Sequence, residues 1–97
     1  MALGAAQEQS EGIIMILKLF TQQACPKCPA AKQLVKQIEN KFQVENYDIK
    51  TEEGLAEALS YDIMSTPSIV ITDHDNNVIG EWKSIVPTID DINKVLK

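Results

Sequence analysis

Ile13-Ile14-Met15-Ile16-Leu17-Lys18-Leu19-Phe20-Thr21-Gln22-Gln23-Ala24-Cys25-Pro26-Lys27-Cys28 carries an almost continuously apolar run into two cysteines separated by two residues. The run from Ile13 to Phe20, rich in β-branched residues and interrupted only by Lys18, suits a central strand covered on both faces. Beyond the cysteines, Ala31, Leu34, Val35, Ile38 and Phe42 recur at the three-and-four spacing of an amphipathic helix, with Lys27, Lys32 and Lys36 on its other side. The thiol pair thus falls where a buried strand ends and a helix begins. Unpaired backbone N–H groups and the helix macrodipole can stabilise a thiolate there.

The remaining segments follow the same logic. Val44, Tyr47 and Ile49, mixed with polar residues, predict a short, more exposed strand parallel to the first, because a helix intervenes. Thr51, followed by Glu52 and Glu53, reads as the N-terminus of a helix that Gly54 weakens, with Leu55, Ala58 and Leu59 as a short apolar face. Ser68 to Thr72 and Val78 to Trp82 flank an Asp- and Asn-rich turn and predict a hairpin. Thr88 and Asp91 have the spacing of a capping box for a last helix that buries Ile89, Ile92, Val95 and Leu96. The expected order is β-α-β-α-β-β-α, an α/β fold with a four-stranded mixed sheet flanked by helices. Residues 1–12 have too little apolar content to pack and read as a disordered leader, leaving one domain over 13–97.

Composition narrows the function. The chain has 97 residues, a net charge of −5 and no arginine, which disfavours nucleic acid because that binding rests on a basic surface. Residues 51–97 hold nine carboxylates and three lysines, whereas the first half is close to neutral. No apolar run reaches the length of about 18 residues that would cross a membrane, and the first residues lack a basic start, so a cytoplasmic setting is expected. In such a reducing compartment two cysteines are not kept as a staple. A disulfide across two residues closes too small a loop to stabilise much, so the pair is expected to cycle.

Thiol–disulfide exchange needs an exposed thiolate and a second thiol close enough to break the mixed disulfide. Cys25, nearer the helix N-terminal end, is the expected attacking thiol, and Cys28, one turn in and more shielded, the resolving one. Sites of this kind bring the thiol pKa from about 8.5 down to roughly 3.5–7.5, and Lys27 pushes the same way. Pro26 at the first helical position stiffens the turn. Pro29 fits less well: with Cys25 as N-cap it should donate the first intrahelical hydrogen bond, which proline cannot, so the turn is distorted or the helix starts later. The competing reading, half of a zinc site, finds only one histidine, His74, in a predicted turn.

These residues resemble the thioredoxin and glutaredoxin superfamily over nearly all of residues 13–97. A strand leads to Cys25-Pro26-Lys27-Cys28 opening a helix, and Tyr61-Asp62-Ile63-Met64-Ser65-Thr66-Pro67-Ser68 precedes the third strand. The resemblance implies a thioredoxin fold, a cis Thr66–Pro67 bond facing the cysteines, and a Thr66 backbone that pairs with an extended substrate beside Cys25. It implies a dithiol–disulfide oxidoreductase that reduces protein disulfides as a monomer. The redox-active disulfide Cys25/Cys28 is its only cofactor, and a reductase, with a flavin-dependent thioredoxin-type enzyme as candidate, restores the dithiol. Thioredoxins place a buried aspartate about six residues before the first cysteine; here Leu19 stands there. The alternative is a glutathione-dependent glutaredoxin, but the Gly-Gly and acidic turn that would hold glutathione is replaced by Trp82-Lys83-Ser84-Ile85-Val86-Pro87. A soft-metal carrier ranks lower, since copper chaperones with a C-x-x-C have a β-α-β-β-α-β order and a methionine before the pair. A cluster-bridging dimer ranks lower too, for want of the glutathione turn.

Overall fold

The computed structural model describes residues 15–96, so the expected leader, the start of the expected first strand at Ile13 and Ile14, and the domain's outer boundaries lie outside the described residues. The elements run β1 (Ile16–Thr21), α1 (Cys28–Ile38) with a 3-10 turn (Glu39–Lys41), β2 (Gln43–Asp48), α2 (Glu52–Ser60), β3 (Ser68–Thr72), β4 (Val78–Lys83) and α3 (Ile89–Val95). The sheet order is β2-β1-β3-β4. Strands β1 and β2 are parallel, and β3 runs antiparallel to both β1 and β4.

Central β1 shows why its sequence lacks a clean alternation. Leu17 and Leu19 join Ile69 and Ile71 of β3 in one core with Ala31, Leu34, Val35 and Ile38 of α1 and Ile92 of α3. Phe20 and Val70 point the other way, onto Ala58 of α2 and Ile63. A strand with hydrocarbon on both sides must be apolar at successive positions. Lys18 belongs to this second face and is itself buried.

Local hydrogen bonds define the helix starts. Thr51 Oγ1 accepts from the Gly54 N–H at 3.0 Å. Thr88 and Asp91 make the reciprocal pair expected of a capping box, each backbone N–H donating to the other's side chain at 3.0 Å.

Gly54 has a different reason from the one its sequence suggests. Its residue is buried, and a Cβ there would overlap the Asp48 carbonyl oxygen at the end of β2. That carbonyl already accepts from the Thr51 N–H at 3.0 Å and from its hydroxyl at 2.7 Å, so it cannot swing aside freely. The glycine therefore admits a close helix–strand approach. Helix propensity alone would make Gly54→Ala stabilising by about 1 kcal/mol. The overlap reverses the sign, and thermal unfolding should show a loss of about 1–3 kcal/mol. A raised melting temperature would mean that the close approach does not constrain residue 54.

Candidate active site

The cysteines sit at the C-terminal end of β1, joined as a disulfide with their Cα atoms 5.3 Å apart. The strand brings the chain to one end of the sheet, and Thr21, Gln22, Gln23 and Ala24 carry it over to Cys25. The Cys25 N–H donates to the Gln23 carbonyl at 3.0 Å, and the Cys28 N–H donates to the Cys25 carbonyl at 3.2 Å. Pro26 and Lys27 thus occupy a turn, both exposed, and α1 begins at Cys28 with Lys27 as its N-cap.

This corrects one expectation, that Pro26 is the first helical residue, and resolves the alternative that Pro29 left open: the helix starts later, with Lys27 and not Cys25 as N-cap. The cause is Pro29. Its missing N–H cannot reach back to the Cys25 carbonyl, so a tighter turn bond from Cys28 takes that acceptor. Regular helical bonding starts with the Ala31 N–H on the Lys27 carbonyl at 3.2 Å. Pro29 is then in the first turn, where no intrahelical donor is required. The exposures keep the expected ranking, with Cys25 at 8 % and Cys28 at 2 %. Cys25 is nonetheless far less open than expected of an attacking thiol.

The second predicted motif lies beside the first. Thr66–Pro67 is a cis peptide bond, with Thr66 half-buried and Pro67 buried at the entry to β3. Gln22 Nε2 donates to Thr66 Oγ1 at 3.0 Å, which ties the cysteine loop to the proline loop. On the other flank, the buried Ser68 hydroxyl donates to the Ser65 carbonyl at 2.9 Å and accepts from the Ser84 N–H at 3.2 Å. The Ser65 and Ser84 hydroxyls are in direct contact. Their neighbours Met64 and Ile85 are exposed, at 78 % and 50 %. Apolar groups therefore stand in water beside the site.

Next to Cys25, Gln22, Gln23 and Ala24 face Asp48 and Lys50 across a cleft of about 430 Å³. Leu19, at the position where thioredoxins carry a buried aspartate, is buried in the main core, so hydrocarbon fills that place. Among the described residues no group of three or more His, Cys, Asp or Glu side chains is arranged to hold a metal ion. His74 is exposed in the β3–β4 turn, and its imidazole is 3.6 Å from the Asp75 carboxylate.

Sequence reasoning missed Gln22, Ser68 and Ser84, and it missed the environment of Lys18. The Lys18 ammonium donates to Glu57 at 2.6 Å and to the Tyr61 hydroxyl at 2.8 Å, and lies 4.9 Å from the Tyr61 ring centre. Burial pulls its pKa down, but the bonds to Glu57 and Tyr61 outweigh that and hold it above the ordinary lysine value. A lysine inside an otherwise apolar strand is the one signal that a carboxylate waits across the fold.

The arrangement can be compared with known proteins. The family described as Thioredoxin domain matches residues 15–97. A probable thioredoxin from Archaeoglobus fulgidus is 39 % identical over 62 residues, spanning 62 % of this chain and 68 % of the relative. A thioredoxin from Methanocaldococcus jannaschii is 42 % identical over 57 residues, spanning 57 % of this chain and 67 % of the relative. The solution structure of a thioredoxin from Thermus thermophilus superposes with a TM-score of 0.66 at 21 % identity, covering 93 % of this chain and 76 % of that one. The reduced thioredoxin pre-protein of Schistosoma mansoni gives 0.70 at 16 % identity, covering 95 % and 88 %. These last two establish the fold. The β-α-β-α-β-β-α order is not that of a copper chaperone. With the fold, the paired cysteines and the family match together, the chain belongs to the thioredoxin domain family and is a thioredoxin-like thiol–disulfide oxidoreductase.

Proposed function

We propose that the chain reduces disulfides in proteins through Cys25 and Cys28 and is itself reduced by a thioredoxin-type reductase. In the dithiol form the Cys25 thiolate attacks one sulfur of a substrate disulfide, forming a mixed disulfide and releasing the other substrate sulfur as a thiol. Cys28 then attacks Cys25, closing the Cys25–Cys28 disulfide and releasing the second substrate thiol. Two electrons and two protons pass to the substrate, and the reductase returns them to the pair. No further cofactor is needed, because the sulfurs carry the electrons.

The observation that carries this reading is a closed Cys25–Cys28 disulfide beside the Thr66–Pro67 loop. Among the described residues, neither the N–H nor the C=O of Thr66 has a backbone partner, so both are free to pair with an extended substrate segment. Lys27, exposed between the cysteines, favours the thiolate by its charge. Among the described residues no helix is long and apolar enough to cross a membrane. We read the protein as a monomer working in a reducing compartment such as the cytoplasm.

Insulin reduction with three electron donors in parallel tests the assignment. Dithiothreitol, and NADPH with a flavin-dependent thioredoxin reductase, should each sustain turnover. Glutathione with its own reductase should give less than about a tenth of that rate, because no glutathione-binding turn follows β4. Glutathione-driven turnover exceeding that of the flavin enzyme would move the function to a glutaredoxin.

A further inference from the structure

We propose that Gln22 is a positioning residue, whose amide bond to the Thr66 hydroxyl sets the register between the substrate-binding backbone and the Cys25 sulfur. The inference rests on the reading that Thr66 pairs with substrate, and adds the residue that holds it in place.

Two loops must cooperate when a protein disulfide is attacked. One carries the nucleophile, the other the backbone on which the substrate lies, and they are 41 residues apart in sequence (Cys25 to Thr66). A misplacement of about 1 Å between such groups can cost on the order of 10²-fold in rate. The segment around Thr66 has a firm anchor on the sheet side, through Ser68 to Ser65 and Ser84. Those bonds fix it relative to β3 and β4, not relative to Cys25.

Gln22 supplies the missing link. It lies one residue beyond β1, where the Thr21 carbonyl still accepts from the Ile49 N–H at 3.0 Å, so its backbone is held by the sheet. Its side chain reaches Thr66 Oγ1 at 3.0 Å in a half-buried position. The bond uses the Thr66 side chain and leaves its N–H and C=O free for substrate. The side-chain hydrogen bond of Gln22 goes to Thr66, and it acts through that residue.

The test is a double-mutant cycle read in insulin-reduction kinetics with dithiothreitol as donor. Gln22→Ala and Thr66→Val each remove one partner of a neutral hydrogen bond, and kcat/KM should fall about five-fold for each, carried mainly by kcat. The double variant should fall no further than the worse single variant, since both remove the same interaction. Thr66→Ser keeps the acceptor oxygen and should recover most of the kcat/KM lost in Thr66→Val. Alkylation of reduced Cys25 by iodoacetamide, a reagent with no peptide backbone to lie on Thr66, should not follow the kcat change.

Losses that multiply in the double variant, a Gln22→Ala protein with unchanged kcat, or alkylation that slows in parallel with kcat/KM would each overturn the proposal. Failure of the function itself would look different, because the unmodified chain would then not reduce insulin at all.

Discussion

Cys28→Ser should convert the protein from a catalyst into a trap. Once Cys25 has attacked a protein disulfide, only a neighbouring thiol at high effective concentration releases the substrate quickly, and Cys28, three residues away and already within bonding distance, is that thiol. Without it, release waits for an external thiol in solution. Effective molarities for well-placed groups are large enough that turnover should drop at least about 10²-fold. A covalent adduct with the substrate should then be visible on a non-reducing gel and disappear on adding dithiothreitol. Cys25→Ser should also abolish turnover but leave no comparable adduct, because the remaining thiol, Cys28, is the more deeply buried of the two. The asymmetry is the informative part. An adduct that forms on Cys28 and not on Cys25 would reverse the roles of the two sulfurs, and near-normal turnover by Cys28→Ser would remove the resolving step altogether.

The features that the sequence made legible are those whose physics is local. The apolar run ending at Phe20, the three-and-four spacing in α1, the reciprocal Thr88–Asp91 cap and the hairpin turn depend on neighbours within a few residues, so their patterns survive in one dimension. The start of α1 was legible in part, since Pro29 signals that a helix capped by Cys25 cannot form its first bond, but not where regular bonding resumes. The glycine in α2 was legible only as a weak helix former, because propensity concerns the isolated helix, whereas residue 54 also answers to a carbonyl at the end of β2. Gln22 escaped entirely. A glutamine in a polar loop has no pattern of its own, and its partner Thr66 is 44 residues away. The candidate site was therefore readable as two motifs, and the side-chain bond that joins them was not.

Lys18 is the sharpest instance of a long-range partner, and it sets the largest stability effect expected from a substitution outside the site. Its side chain is 7 % exposed, while that of Glu57 is 29 % exposed, so the two ends of the ion pair have unequal access to water. Glu57→Gln strands an ammonium in the protein interior with only a neutral amide and the Tyr61 hydroxyl for company. Breaking buried pairs typically costs about 3–5 kcal/mol. The partial exposure of Glu57 lowers the expectation to about 2–3 kcal/mol, or roughly 10–20 °C in melting temperature for a domain of this size. Lys18→Met, in contrast, replaces the buried charge by hydrocarbon of similar length and leaves a carboxylate that water can still reach, so it should change stability by less than about 1 kcal/mol. The pH dependence has a definite sign. Because the folded state holds the Lys18 proton more tightly than the unfolded state, its contribution is fully present below the unfolded lysine pKa of about 10.4 and is lost as the pH rises through the higher folded value. Denaturant melts at neutral and at alkaline pH should therefore show the unmodified chain losing more stability than Lys18→Met over that interval. If Lys18→Met were instead the more damaging change, the ion pair would be worth more to the fold than hydrocarbon of similar length in the same place.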